Sequence, residues 1–379
     1  PFGFFLSGGV DSSLVAALMQ SRSSRPIQTF AIGFSEARFN EAPHAAAVAR
    51  HLCTDHTEFI LSEQDALGVI TDLPNIYDEP FADSSQIPTV LLCREARKAV
   101  KVALTGDGGD EIFGGYNRYV AGPQLLSKLQ SVPRGLRNSA GRFISAYAPL
   151  ITPENGWLRR FASKAHLPLT ALDKAVKLAP HISEIDDFPA LYQHFIRGIQ
   201  NPEHFLKDGT TPIKFDHYFP VEGVEWMMAM DSVTYLRDDI LVKVDRAAMA
   251  ASLETRAPFL DSRVITAAWE LPLDMKISGG KGKQVLRSLL DKHVPRDLME
   301  RPKQGFAIPL DRWLRGELRA WAEVLLSDDA LLDLACLERT AVNGLWTGHQ
   351  AGLANNGTAL WTILMLLDWL THYRHHLIR

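Results

Sequence analysis

The opening of the chain constrains its fold more than any other segment. An apolar run from Pro1 to Leu6 leads straight into Ser7-Gly8-Gly9-Val10-Asp11-Ser12-Ser13, and an amphipathic helical pattern follows. A glycine pair between a strand and a helix lets the backbone turn tightly and lets N–H groups approach an anion with no Cβ in the way. Ser12 and Ser13 then fall at the helix N-terminus, where unpaired N–H groups and the helix dipole favour a phosphate. Asp11 alone would repel an anion, so its presence points to a divalent cation between carboxylate and phosphate. The segment reads as a Mg²⁺–polyphosphate cradle.

Two common phosphate loops are excluded. The Walker pattern needs a Gly-Lys followed by Ser or Thr, and the first loop has no lysine. Lys283, in Gly279-Gly280-Lys281-Gly282-Lys283-Gln284, is followed by glutamine instead. The dinucleotide pattern G-x-G-x-x-G is also unmet at the first loop. The Ser-Gly-Gly-x-Asp-Ser order does resemble the loop of the PP-loop ATP pyrophosphatases, which cleave ATP between the α and β phosphates. A plain Ser/Gly turn with a helix cap accounts for Gly8 and Ser12 but not for Asp11.

Composition narrows the class. A chain of 379 residues holds one large or two medium domains. With 40 basic against 44 acidic residues it lacks the basic surface of a nucleic-acid binder. Cys53, Cys93 and Cys336 are odd in number and form no C-x-x-C pair, so neither a disulfide framework nor a zinc site is indicated. They suit the reducing cytosol, and a cytoplasmic location is expected. The most apolar run, Ala359 to Leu367, is too short to span a bilayer, so no membrane partner is expected. A start at Pro1-Phe2-Gly3, at the first strand of a nucleotide fold, reads as a fragment of something longer.

Strand-like runs at Phe2–Leu6, Ile27–Phe34, His56–Leu61 and Val100–Leu104 alternate with helical stretches at Ser12–Gln20, Glu41–Leu52 and Ile87–Lys98. The alternation predicts an α/β fold with a doubly wound parallel sheet and ligands at the carboxyl ends of its strands. The expected division is an ATP-binding α/β core over 1–120 and a large, mostly helical elaboration over 121–379. Within the latter, the stretch to about 220 is broken by ten prolines, including Pro123, Pro149, Pro153, Pro168 and Pro212, and carries no motif.

The second glycine-rich loop, Thr105-Gly106-Asp107-Gly108-Gly109-Asp110-Glu111-Ile112-Phe113-Gly114-Gly115-Tyr116, follows the fourth strand. Asp107, Asp110 and Glu111 lie too close together to coexist without a counter-charge, which a metal with triphosphate supplies. A calcium loop is the plain alternative, but the EF-hand spacing with its terminal Glu is not present.

Taken together, the two loops are similar to the synthetase domain of the glutamine-dependent asparagine synthetases, within the PP-loop (adenine nucleotide alpha hydrolase-like) superfamily. The similarity continues through Asp78–Ser85, Asp238–Arg246, Leu253–Asp261, Lys283–Arg287, Lys303-Gln304-Gly305-Phe306 and the closing helix around Trp361 and Trp369. The resemblance implies an ATP-dependent amide-forming ligase. ATP activates the aspartate carboxylate as an acyl-adenylate, pyrophosphate leaves, and ammonia attacks to give asparagine. By the same resemblance Ser7, Gly8, Gly9, Asp11, Ser12 and Ser13 hold the pyrophosphate moiety, and Asp11 and Asp110 hold Mg²⁺. Ile32 and Gly33, in Ala31-Ile32-Gly33, lie in the segment whose backbone contacts adenine. Thr105 and Gly106 line the ribose–adenine side, and Lys283 neutralises charge developing on the phosphates. Asp107 stands where these enzymes often carry Glu, an acid that meets the ammonia or the adenylate. Aspartate is one methylene shorter, but its charge suits general-base work.

An acid at position 107 favours external ammonia over the ring closure of β-lactam-forming relatives, which have tyrosine there. Lasso-peptide cyclases, polysaccharide-modifying amidotransferases, a tRNA-modifying PP-loop enzyme and a non-catalytic nucleotide-binding relative remain alternatives. Asp107, Lys283 and Thr105 are the expected catalytic group. The resemblance further implies a glutaminase domain, in cis or trans, to supply ammonia, and a homodimer. Among lesser candidates, Arg256 and Lys243 read either as ligands of phosphate or carboxylate or as helix-end ion pairs. Asp78-Glu79-Pro80 reads as a substrate loop or a helix stop. Asp238, Asp239 and Asp245 read as partners of nearby arginines, and His372, His375 and His376 as a solvated tail.

Overall fold

Five strands form a single parallel sheet in the order β3-β2-β1-β4-β5. These are β1 (Phe2–Phe5), β2 (Gln28–Phe34), β3 (Asp55–Leu61), β4 (Val102–Leu104) and β5 (Glu254–Arg256). The computed structural model describes residues 2–34, 40–147, 178–199, 201–207, 219–300 and 308–377. The Lys303–Phe306 motif and Pro149, Pro153, Pro168 and Pro212 lie outside the described residues. The chain winds outward from β1 to β3, then returns to place β4 and β5 on the other side of β1. The doubly wound parallel sheet read from the sequence is thus present. Its switch point falls between β1 and β4, which is where such sheets bind ligands, beyond the carboxyl ends of the strands.

Four strands follow the apolar runs, with ends shifted by one or two residues. The fifth was not anticipated. Glu254-Thr255-Arg256 carries no apolar residue and only Thr255 is shielded from solvent, so no pattern marks it. Its place comes from backbone pairing: the Glu254 amide donates to the Lys101 carbonyl at 3.0 Å, and the Thr105 amide to Arg256 at 2.8 Å. Arg256, read either as a ligand of phosphate or carboxylate or as a helix-end ion pair, sits on a strand, and its side chain pairs with Glu254.

Helix α1 (Val10–Arg22) starts two residues ahead of the predicted Ser12, with Gly9 as its N-cap. Helices α2 (Ala42–Leu52), α3 (Glu63–Ile70), α4 (Leu73–Ile76) and α5 (Gln86–Arg97) precede β4, and the short α6 (Gly109–Ile112) follows it. In α3 the Ser62 and Asp65 side chains form a reciprocal capping box. Phe4, Leu6, Leu14, Val48 and Ile112 are buried in one apolar cluster with Phe259, Leu286 and Leu290 from the later part of the chain.

Two compact units account for the chain. One comprises 1–120 with 219–309, the other 121–218 with 310–379. In the first, the helix Gly223–Val233 leads through a π-helical turn at Leu236–Leu241 into the helix Val242–Ala250. The helix Gln284–Leu290 packs on α1. In the second, Arg137 is buried and donates to the carbonyls of Val132, Ile182 and Ile185, tying the motif-poor segment together. The closing helix Gly357–Leu377 buries Trp361, Leu364 and Leu367 as a core stripe. It continues through the stretch expected to be a solvated tail, and His372 is exposed on it. No helix among the described residues is long and apolar enough to cross a membrane.

Phe4 is fully buried on the central strand, so Phe4→Ala should cost roughly 3–5 kcal/mol, read from the urea midpoint at unchanged slope. A loss under about 1 kcal/mol would place the core elsewhere.

Candidate active site

Both glycine-rich loops emerge at the switch point, Ser7–Gly9 after β1 and Thr105–Gly108 after β4. The first loop is held by its own side chains. Ser7 Oγ and Ser12 Oγ are 2.9 Å apart, the Gly9 amide donates to Ser7 Oγ at 3.3 Å, and Ser12 Oγ donates to the Gly9 carbonyl at 3.3 Å. Gly8 adopts φ +71°. Gly9 caps α1 without a side-chain hydrogen bond, and the N-terminus of such a helix favours an anion. Ser13 is fully buried, and its Oγ has no hydrogen-bond partner. Ile32 and Gly33 lie at the carboxyl end of β2, the neighbour of β1, paired in register with Phe59 and Ile60.

Charge converges on one point. Lys283 Nζ is ion-paired with Asp11, from the first turn of α1, and lies 2.8 Å from Asp110 Oδ1 in α6. The lysine is delivered from the later segment. Its backbone is left-handed at φ +60°, its amide donates to the Phe113 carbonyl at 3.1 Å, and it caps the helix Gln284–Leu290. Burial by itself would depress its pKa, but the charges of Asp11 and Asp110 outweigh that and raise it.

Glycine at two positions makes this approach feasible. A Cβ on Gly109 would fall 2.6 Å from Asp11 Cγ, and one on Gly115 would fall 2.0 Å from Lys283 Cε and 2.1 Å from Asp110 Oδ1. The glycines of the second loop thus leave room for the charged groups. No group of three or more His, Cys, Asp or Glu that could hold a metal occurs among the described residues. The facing pair Asp11 and Asp110 is still a donor set that fits Mg²⁺, which takes one or two carboxylates and completes its shell with water and phosphate oxygens.

Asp107 sits apart from that pair. Burial pushes its carboxyl up, while a hydrogen bond from Thr105 and the charge of Lys243 pull it down; the net shift is upward. Its Oδ2 is buried and has no hydrogen-bond partner. Thr105 is itself buried, and Cys93 is close enough that Asp107 adds to the burial pushing that thiol up to about 12.

A sequence model of the asparagine synthase family matches residues 1–371. The chain belongs to the asparagine synthase family. A Mycobacterium tuberculosis relative is 34% identical over 378 residues, 99% of this chain and 55% of its own. The Bacillus subtilis protein named asparagine synthetase [glutamine-hydrolyzing] 1 is 30% identical over 370 residues, 97% of this chain and 56% of its own. The Escherichia coli protein named asparagine synthetase B [glutamine-hydrolyzing] is 32% identical over 154 residues, covering 36% and 27%. The chain spans about half the length of the curated relatives that match nearly all of it.

Within this family frame the structure brings Ser7, Gly8, Gly9, Asp11, Ser12, Ser13, Gly106, Asp110 and Lys283 to one place. Gly106 packs on Ser12, where a Cβ would meet the Ser12 amide at 3.0 Å. Other groups were under-read in the sequence. Lys243, read either as a ligand of phosphate or carboxylate or as a helix-end ion pair, forms an ion pair with Asp83 at 2.6 Å from the start of the helix Val242–Ala250. Asp239, expected beside an arginine, is hydrogen-bonded to Asp83, whereas Asp238 does pair with Arg237. Asp78 pairs with Arg246 at 2.9 Å. A signal for Asp83 existed: an Asp two residues before a Ser is an Asx-turn pattern, in which the carboxylate accepts from the backbone N–H two residues on.

Gly115→Ala should cost roughly 1–3 kcal/mol by overpacking. Because its obstacle is the Lys283 side chain, Gly115→Ala and Lys283→Ala should be non-additive in a double-mutant cycle of urea unfolding. Strict additivity would show that the two positions do not touch.

Proposed function

We propose that this chain is the synthetase part of an ATP-dependent amide-forming ligase that converts aspartate and ammonia to asparagine, with AMP and pyrophosphate as co-products. The observation that carries the reading is the convergence of Asp11, Asp110 and Lys283 at the switch point, in a chain of this family. A triphosphate at that edge meets the N-terminus of α1 and the Lys283 ammonium together. Asp11 and Asp110 would hold Mg²⁺, which when bound neutralises phosphate charge and leaves Lys283 to face the pyrophosphate. Ser7, Gly8, Gly9, Ser12 and Ser13 take the pyrophosphate moiety. Ile32, Gly33, Thr105 and Gly106 take the nucleoside side. The printed names of the B. subtilis and E. coli relatives support glutamine as the nitrogen source, through a glutaminase domain in cis or trans.

Asp107 is the residue assigned to the second half-reaction. Ammonia forms a C–N bond with the activated carbonyl carbon, the bond from that carbon to the AMP oxygen breaks, and AMP leaves with its electron pair. The proton lost by nitrogen passes to the Asp107 carboxylate. Its buried, unpartnered Oδ2 supports that role, because an acceptor with no internal donor is open to one from a substrate.

The test is pyrophosphate release from MgATP and ammonium with L-aspartate, with L-glutamate or with no amino acid, the product being identified by mass. Aspartate-dependent release with asparagine formed is expected; release with neither amino acid stimulating it would assign the chain to another carboxylate. Asp110→Asn should reduce release at least 100-fold, about 2.7 kcal/mol of transition-state stabilisation. Asp107→Ala should spare pyrophosphate release more than amide formation, and equal losses would remove Asp107 from the ammonia side.

A further inference from the structure

Asp83, Asp239 and Lys243 form a second, mostly buried cluster whose polar atoms can be followed one by one. Asp83 precedes α5, and its Oδ1 accepts from the Ser85 amide at 2.9 Å and the Ser85 hydroxyl at 2.8 Å. Its Oδ2 accepts from Lys243 Nζ at 2.6 Å. Asp239, four residues before Lys243, is hydrogen-bonded to the same Asp83 carboxyl. Two carboxyl groups can be hydrogen-bonded only when one of them carries a proton. Lys243 and Ser85 hold Asp83 in the ionised form, below its ordinary range despite burial, so the proton belongs to Asp239. The other Asp239 oxygen, Oδ1, is buried and has no hydrogen-bond partner. The groups facing Asp239 are Asp83 from the loop before α5, Lys243 on its own helix, and the phenols of Tyr77 and Tyr235.

Lys243 serves two masters. Besides its bond to Asp83, its charge acts on Asp107, where it works against burial to favour the carboxylate. We propose that Asp239, through the proton it shares with Asp83, positions Lys243 for Asp107 and so keeps Asp107 ionised for the amide-forming step. The inference rests on the reading above, in which Asp107 takes the proton from attacking ammonia. Asp239 touches no reacting atom; it is a positioning residue.

The sign follows from the charges. While Asp239 keeps its proton, Asp83 is a single charge matched by Lys243, and the ammonium is available to Asp107. Once Asp239 ionises, two carboxylates compete for one ammonium and draw it away. Burial first, then the Asp83 charge, push the Asp239 carboxyl up to about 7, so the change falls in the neutral range. The ratio of amide formed to pyrophosphate released, expressed per free ammonia, should therefore fall as pH rises through about 7. Asp239→Asn can still donate to Asp83 but has no proton to lose, and its ratio should not show that fall. Lys243→Gln should lower the ratio at every pH while pyrophosphate release persists.

Two readouts keep this separate from the parent reading. In protein carrying ¹³C at the aspartate carboxyl carbons, one resonance should titrate near 7 and be missing from Asp239→Asn. Its presence supports the shared proton even if aspartate proves not to be the substrate; its absence overturns the proposal. If aspartate-dependent amide formation is found and Asp239→Asn keeps the wild-type pH limb, the proposal fails and the parent reading stands.

Discussion

A buried ammonium between two carboxylates is costly to assemble and more costly to break. Desolvating three charges is repaid only by close geometry, and removing one member of such a set typically costs about 3–5 kcal/mol because the others are left uncompensated. Lys283 with Asp11 and Asp110 is that set here. It joins the loop after β1, the loop after β4 and a helix start more than 170 residues further along. The rest of the unit follows from holding these three points together. The parallel sheet supplies two adjacent strand ends, the glycines of the second loop vacate the space, and the left-handed turn at Lys283 aims the side chain inward.

Beside it lies a second charge cluster with a different balance. The first is cation-bridged, one lysine between two carboxyl groups. The second has Asp83, Asp107 and Asp239 around Lys243, and it holds a proton because one ammonium cannot serve three carboxylates in a desolvated setting. Under the proposed function, the two clusters suit the two halves of an adenylate-forming amidation. A fixed positive field suits departure of pyrophosphate, whereas a carboxyl group poised to exchange a proton suits capture of one from nitrogen.

Much of the first cluster was legible in the chain. The Ser-Gly-Gly-x-Asp-Ser-Ser and Gly-Asp-Gly-Gly-Asp-Glu runs announce themselves because backbone approach demands glycine and charge concentration demands a counter-ion. The doubly wound sheet was legible from four apolar runs at α/β spacing. Strand β5 was not, since pairing with Lys101 and Thr105, rather than apolar burial, makes it a strand. Nor was the Asp83–Asp239–Lys243 group, whose members lie some 160 residues apart and meet only through tertiary packing. Local sequence supplied arginines near Asp238 and Asp239, and the first paired as expected while the second turned inward to another acid.

That inward turn depends on the π-helical segment Leu236–Leu241. A π-turn accommodates one residue more than the α-helix on either side, and such insertions recur at functional positions. Each residue on an α-helix advances the side chain by about 100°. Removing a single residue from this segment would leave the composition, the charge and nearly all of the core as they are, yet rotate everything upstream of it by more than a quarter-turn relative to Lys243. Asp239 would leave the lysine's face, and the chain would gain a smoother helix at the expense of the hydrogen bond between Asp239 and Asp83. Sequence length at this one place is therefore under tighter constraint than the identity of most residues around it.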